Sequence, residues 1–227
     1  MKFRLQLAFA ALMVGACLAQ VVDRMAAVVN KRVIMESELD QAVRIEFLMQ
    51  GKPLDKITPS EKLAVLDRLI DRSLLEQQIL TSDALNPTPG ELASRMAEIR
   101  KQVPGAQSNE GWSKVLTEYG LTEQDVQDSL ASEVRILRLI DLRFRGLVRV
   151  DRNAVEAYYR DKFLPQVRAR GVAEPPLSAV SDKIENILVE QSIDEMLARW
   201  LETLRGQAHI EKMNSEAAPS VPGGTHP

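Results

Sequence analysis

The chain has 227 residues, 45 % of them hydrophobic, and its 29 lysines and arginines face 32 aspartates and glutamates for a net charge of −3. A mildly acidic chain without a block of consecutive basic residues argues against nucleic acid as the main partner. Its one cysteine excludes a disulfide framework, so a packed core must hold the fold, and roughly 190 ordered residues suffice to build one.

Residues 1–19 read as an export signal. Lys2 and Arg4 precede an apolar stretch, Leu5 to Ala16, of signal length and too short to cross a bilayer. Two processing readings stand. Cleavage after Ala19, at the small-x-small sequence Cys17-Leu18-Ala19, leaves Gln20 first and takes the net charge to −5. Alternatively, Val14-Gly15-Ala16-Cys17 serves as a lipobox and Cys17 carries a lipid anchor. No later apolar run approaches membrane-spanning length.

Met25 to Val29 and Val33 to Met35 predict a small hairpin, with Asn30 tolerating the left-handed turn conformation. The rest predicts helix. Ser37-Glu38-Leu39-Asp40 opens the first, with Ser37 as its cap. Thr58-Pro59-Ser60-Glu61, Thr88-Pro89-Gly90-Glu91 and Thr122-Glu123-Gln124-Asp125 each read as a capping box, two of them with proline in the first turn. Leu121 and Val126 flank the last of these as a hydrophobic staple.

Apolar spacing agrees. Leu63, Leu66, Ile70 and Leu74 form one stripe; Leu92, Met96, Ile99 and Val103 a second; Val126, Leu130, Val134, Leu137 and Ile140 a third. Val103-Pro104-Gly105 ends the third helix, and Trp112 to Tyr119 gives a short fourth. Asp151 to Phe163 is helical and runs into a proline-bearing connector, Leu164 to Leu177. Ser178 to Arg205 predicts a long helix stopped by Gly206, and Ala208 to Met213 a last strand. The tail, 214–227, is small, polar and rich in proline and glycine, a composition expected to be disordered.

The chemistry-bearing signals are few. There is no Gly-rich phosphate loop, HExxH or CxxC. The two histidines, His209 and His226, lack a neighbouring cysteine or carboxylate constellation in sequence, and His209 reads as a sheet residue. Carboxylates fall on solvated helix faces and at helix N-termini, where they complement the helix dipole. No catalytic residue, metal ligand or cofactor is assigned. What remains is binding through adaptable apolar side chains. The candidates are Phe47, Leu48 and Met49, with Met96, Trp112 and Tyr119, although any one of them taken singly is expected to fill the core. The consecutive trio leads, because three neighbouring helical residues cannot all face one seam.

Val21-Val22-Asp23-Arg24-Met25-Ala26-Ala27-Val28-Val29-Asn30, followed by Val33-Ile34-Met35-Glu36-Ser37-Glu38-Leu39, resembles the opening of the SurA-like periplasmic chaperones. The likeness continues in Leu66 to Gln78 and in Val155-Glu156-Ala157-Tyr158-Tyr159. It returns in Trp200-Leu201, Leu204-Arg205 and Ala208-His209-Ile210. The resemblance implies a mainly α fold, a core of about six or seven helices. A small β-sheet would join the N-terminal hairpin to the C-terminal strand. It divides the chain into residues 20–163, the connector 164–177 and the terminal helix and strand 178–213. Such proteins usually carry parvulin-type prolyl isomerase domains where this chain has only the connector, so the resemblance implies a chaperone core without that catalytic passenger.

The implied function is that of an ATP-independent periplasmic holdase for unfolded envelope or outer-membrane β-barrel precursors, not an enzyme. A structural subunit binding one folded envelope partner is the alternative, and a residual isomerase the third reading. The short connector also suggests dimerisation by exchange of the terminal helix.

Overall fold

The computed structural model describes residues 23–79 and 83–213. The expected export signal with Cys17 and Ala19, the first residues of the family-like opening, and the tail lie outside them.

Strands β1 (Met25–Val29) and β2 (Arg32–Met35) pair antiparallel, with Val29 opposite Arg32 and a two-residue turn between them. Asn30 in that turn has a φ of 58°, the left-handed region that asparagine tolerates. It also ties the turn to distant chain. Its N–H donates to the His209 carbonyl at 2.7 Å, and its Oδ1 accepts from the His209 N–H at 3.0 Å. Its Nδ2 donates to Gln77 at 2.8 Å. Strand β3 (Ile210–Lys212) lies antiparallel on the other side of β1, so the sheet order is β2-β1-β3. The two ends of the described chain therefore meet in one sheet, which neither end could form alone.

Helix α1 (Glu36–Gln50) starts one residue before Ser37, and Ser37 is not its cap. The carboxylate of Asp23 does that work from outside the helix. It accepts the Ser37 N–H at 3.2 Å through one oxygen and the Ser37 hydroxyl through the other. The Ser37 hydroxyl bond is what chiefly holds the Asp23 carboxyl below the usual range.

Helices α2 (Pro59–Glu76), α3 (Pro89–Gln102) and α5 (Glu123–Phe144) all begin with the complete reciprocal capping box, on Thr58, Thr88 and Thr122. Helix α4 (Asn109–Tyr119) opens earlier than Trp112, because Ser108 caps it through the Gly111 N–H. Gly120 ends it with a φ of 62°.

Beyond a 3-10 turn at Arg145–Leu147, α6 (Arg152–Tyr158), a π-helical turn (Tyr159–Phe163) and α7 (Leu164–Ala169) run on without a break. The connector is thus shorter than Leu164 to Leu177. Pro165 has no N–H to close the ordinary bond to the carbonyl four residues back, and the widened π turn just before it absorbs that loss. Residues 170–176 are pinned back by the Tyr159 hydroxyl, which donates to the Pro175 carbonyl at 2.8 Å, and by Arg168–Glu174 at 2.6 Å.

Helix α8 (Leu177–Gln207) continues through Gly206, which does not take the left-handed conformation of a helix stop. It packs on α2, α5 and α6 of its own chain. Counting the α6–π–α7 run as one body, there are seven helices among the described residues.

Three apolar clusters hold these elements. The first joins the inner face of the sheet to α1 and α2, with Leu204 of α8 against it. The second joins α1 to α3, α4 and α5. The third, around Phe144, Val148 and Ile193, joins the end of α5 to the middle of α8. Two stripe positions are exposed instead of buried. Leu63 is 57 % exposed, since α2 buries a face centred on Leu66, Leu69, Ile70 and Ser73 and leaves Leu63 at its margin. Leu137 is 46 % exposed, because α5 passes from the second cluster at Leu130 to the third at Ile140 and Leu137 falls between them.

Candidate functional site

Burial separates the six apolar candidates. Phe47, Leu48, Met96 and Trp112 are all core residues and offer no surface to a partner in this structure. The trio at the end of α1 is apolar throughout because that helix is sandwiched. Phe47 faces the cluster with the sheet and α2, and Leu48 faces the cluster with α3, α4 and α5. Tyr119 is half-buried between the same two clusters, and its hydroxyl donates to the Lys52 carbonyl at 2.9 Å. Burial pushes its phenol upward from the ordinary value. Trp112 packs inside the second cluster with the Arg100 guanidinium 6.0 Å from its ring, and its indole N–H has no acceptor among the described residues.

Met49 alone of the trio reaches solvent, at 39 % exposure. It forms part of an open groove of about 510 Å³ between α3 and α5. Met49, Ile99 and Leu130 supply the apolar lining, and Ser94, Arg95, Glu98, Gln102 and Glu133 the polar margin. The construction follows from the sequence. α3 and α5 are each fixed at their start by a capping box, and Arg138 of α5 pairs with Glu91 of the α3 box, which sets the two helices side by side. Arg138 also donates to the Asn86 carbonyl at 2.7 Å, anchoring the segment that enters α3.

The groove has what a sequence-tolerant binder needs. Its lining mixes a flexible thioether with branched aliphatic chains, so varied apolar groups fit without a fixed register. The polar margin carries both charge signs, the Ser94 hydroxyl and one amide, Gln102, that suit main chain. Ile99 and Leu130 were visible in sequence as stripe residues. The partial exposure of Ile99 was not, nor was the place of the buried Leu130 at the floor of the groove, since both depend on how far apart α3 and α5 stand.

No group of three or more His, Cys, Asp or Glu side chains among the described residues is placed to hold a metal ion. His209 is exposed just before β3, and its Nε2 lies 3.0 Å from one carboxylate, that of Glu211. No helix among the described residues is long and apolar enough to cross a membrane.

The profile of the SurA-like N-terminal domain family matches residues 4–140. Chaperone SurA of Pseudomonas aeruginosa is 31 % identical over 156 residues, covering 66 % of this chain and 36 % of its own length. Chaperone SurA of Hahella chejuensis is 28 % identical over 169 residues, covering 70 % of this chain and 38 % of its own. The chain therefore spans little more than a third of the length of these curated relatives.

Proposed function

Given that the chain belongs to the SurA-like N-terminal domain family, we propose that it is an ATP-independent chaperone that holds unfolded polypeptide. The relatives it resembles are named chaperones, and the family match falls on the domain this chain shares with them. The observation that carries the reading is the Met49–Ile99–Leu130 groove, an open apolar trough with a two-signed polar margin.

One buried client side chain contributes about 1.5–3 kcal/mol, which on its own gives weak, rapidly reversible capture. Weak capture suits a holdase, because several segments of one extended client engage in turn and release without an energy source. The signal-like composition of residues 1–19 supports clients in the cell envelope, and outer-membrane β-barrel precursors, with their alternating apolar residues, are the class proposed.

The test is light scattering of a barrel protein diluted from urea, without ATP. The protein in modest excess slows aggregation, and Met49→Ser, at a half-exposed position, weakens the effect at unchanged thermal midpoint. Absence of any effect at several-fold excess overturns the reading. A single folded partner recovered by pull-down, with no affinity for unfolded chains, would replace it with the assembly-subunit reading.

A further inference from the structure

The end of α5 has a composition unlike the rest of the chain. Residues 135–152 hold six arginines and two aspartates, although acids outnumber bases overall. The overall balance conceals this segment, because no two of its arginines are adjacent. The two most exposed large hydrophobic residues among those described, Leu142 at 76 % and Leu147 at 67 %, stand in the same stretch. Helical spacing puts Arg138 and Arg145 beside Leu142, four residues before and three after it.

The arginines divide into two sets. Arg138 pairs with Glu91, Arg145 with Asp141 and, at 2.7 Å, Glu190, and Arg152 with Glu156 at 2.9 Å. Arg135, Arg143 and Arg149 have no carboxylate in pairing distance among the described residues. Arg143 lies over the Trp200 ring at 4.2 Å and the Phe144 ring at 5.6 Å. Phe144 and Trp200 meet edge to face at 5.6 Å, so this cation sits on a rigid aromatic base. Arg149 donates to the carbonyls of Gly146 and Val148 at 3.1 and 2.9 Å.

Two plainer accounts leave the pattern unexplained. A helix C-terminus favours a cation in its last turn, but it does not call for two leucines in water. Single exposed leucines are ordinary on a protein surface, but two this exposed, five residues apart and flanked by guanidiniums, are not scattered.

We propose that this end of α5 docks on a membrane surface bearing anionic headgroups. Leu142 and Leu147 enter the boundary between headgroups and acyl chains, while Arg143 and Arg149, which have no carboxylate partner among the described residues, meet the phosphates. The contact is peripheral, in keeping with the lack of a spanning helix among the described residues. It draws on the C-terminal end of α5, whereas the Met49 groove uses Leu130 and Glu133 near the middle, so the two surfaces can be tested apart.

The experiment is flotation of the protein, purified after export, with vesicles of phosphatidylcholine alone or with about three parts in ten phosphatidylglycerol. Wild type floats with the anionic vesicles, and the fraction bound falls as salt rises. Leu142→Asp with Leu147→Asp abolishes the difference, and Arg149→Ala reduces binding about five-fold. Both leucines are exposed, so the circular dichroism spectrum and thermal midpoint of the variant should match wild type. Arg149→Ala keeps the question open to test should the double variant fold poorly. Wild type and variants share any N-terminal lipid or leader, so only their difference counts. Equal flotation of wild type and the double aspartate variant overturns the proposal. So does soluble polyglutamate that binds as tightly as the vesicles and shows the same loss in the variant, since that assigns the surface to acidic polypeptide. Aggregation suppression measured on the same variants reports separately on the chaperone reading.

Discussion

Phe47 and Leu48, consecutive residues of α1, are buried in two different cores. One turn of helix therefore couples the sheet and α2 on one side to α3, α4 and α5 on the other. Tyr119 reinforces the junction by packing on both clusters.

Truncating either residue is expected to damage the fold before it affects any binding surface. Phe47→Ala should cost about 3–5 kcal/mol and Leu48→Ala about 2–5 kcal/mol, the range for fully buried side chains that leave a cavity. Urea unfolding followed by circular dichroism and by tryptophan fluorescence tests the coupling. In a Trp200→Phe background the fluorescence comes from Trp112 in the second core, so Phe47→Ala should shift the fluorescence midpoint as well as the dichroism midpoint. A fluorescence transition left at the wild-type position would show that the two cores unfold independently.

The capping box that begins α3 carries a pH dependence. Glu91 accepts from the N–H and hydroxyl of Thr88 and pairs with Arg138, and these bonds, the Thr88 N–H first, pull its pKa from 4.5 to about 2. A depressed carboxyl contributes stability above its unfolded pKa and loses it as pH falls toward the folded value. The stability advantage of wild type over Glu91→Gln should therefore be flat above about pH 5 and shrink from about pH 4.5 toward 2. Urea midpoints at a series of pH values give the curve. An advantage that instead grows on acidification would contradict the geometry.

Much of this architecture was legible because it is written in local signals. Thr58, Thr88 and Thr122 each announce a helix within four residues, and Asn30 marks a turn. Non-local chemistry was hidden. Ser37 looks like a cap in sequence, but Asp23 fills that role across 14 positions of chain. Pro165 looks like a break, but the π turn before it lets the helix continue. The apolar trio at the end of α1 must, from helical geometry alone, face more than one way. That its second direction is another core rather than solvent depends on α3 and α4, which no window around Met49 contains.

The short connector is held by the Tyr159 hydroxyl together with the Arg168–Glu174 pair. Tyr159 stacks on Phe163 with ring centroids 5.8 Å apart, and its hydroxyl reaches the Pro175 carbonyl. Tyr159→Phe keeps the stack and removes the bond, at a cost of about 1 kcal/mol. The local effect should exceed the global one. Limited proteolysis should cut faster between residues 170 and 176, with little change in thermal midpoint, and an unchanged cleavage rate would show that Arg168–Glu174 suffices to hold the connector.

Arg205 fastens the end of α8, and through it β3, to α2. Its Nε donates to Asp71 at 2.6 Å and its guanidinium also reaches the Asp67 carbonyl at 3.2 Å, while Lys212 of β3 pairs with Asp67 at 2.7 Å. The Asp71 bond is the main reason that the Arg205 pKa stands above its ordinary value. The pair is partly exposed, so solvent screening limits its worth to about 1 kcal/mol. The structural consequence is larger than that figure suggests, because β3 has only three residues and depends on α8 to hold it against β1. Arg205→Met, which keeps the aliphatic stem, should loosen β3 selectively. Hydrogen exchange at Asn30 and Met213, whose N–H groups bond across the β1–β3 seam, should accelerate, while amides within α3, α4 and α5 keep wild-type protection. Uniform acceleration across all helices would mean instead that the clasp stabilises the whole molecule and not this seam.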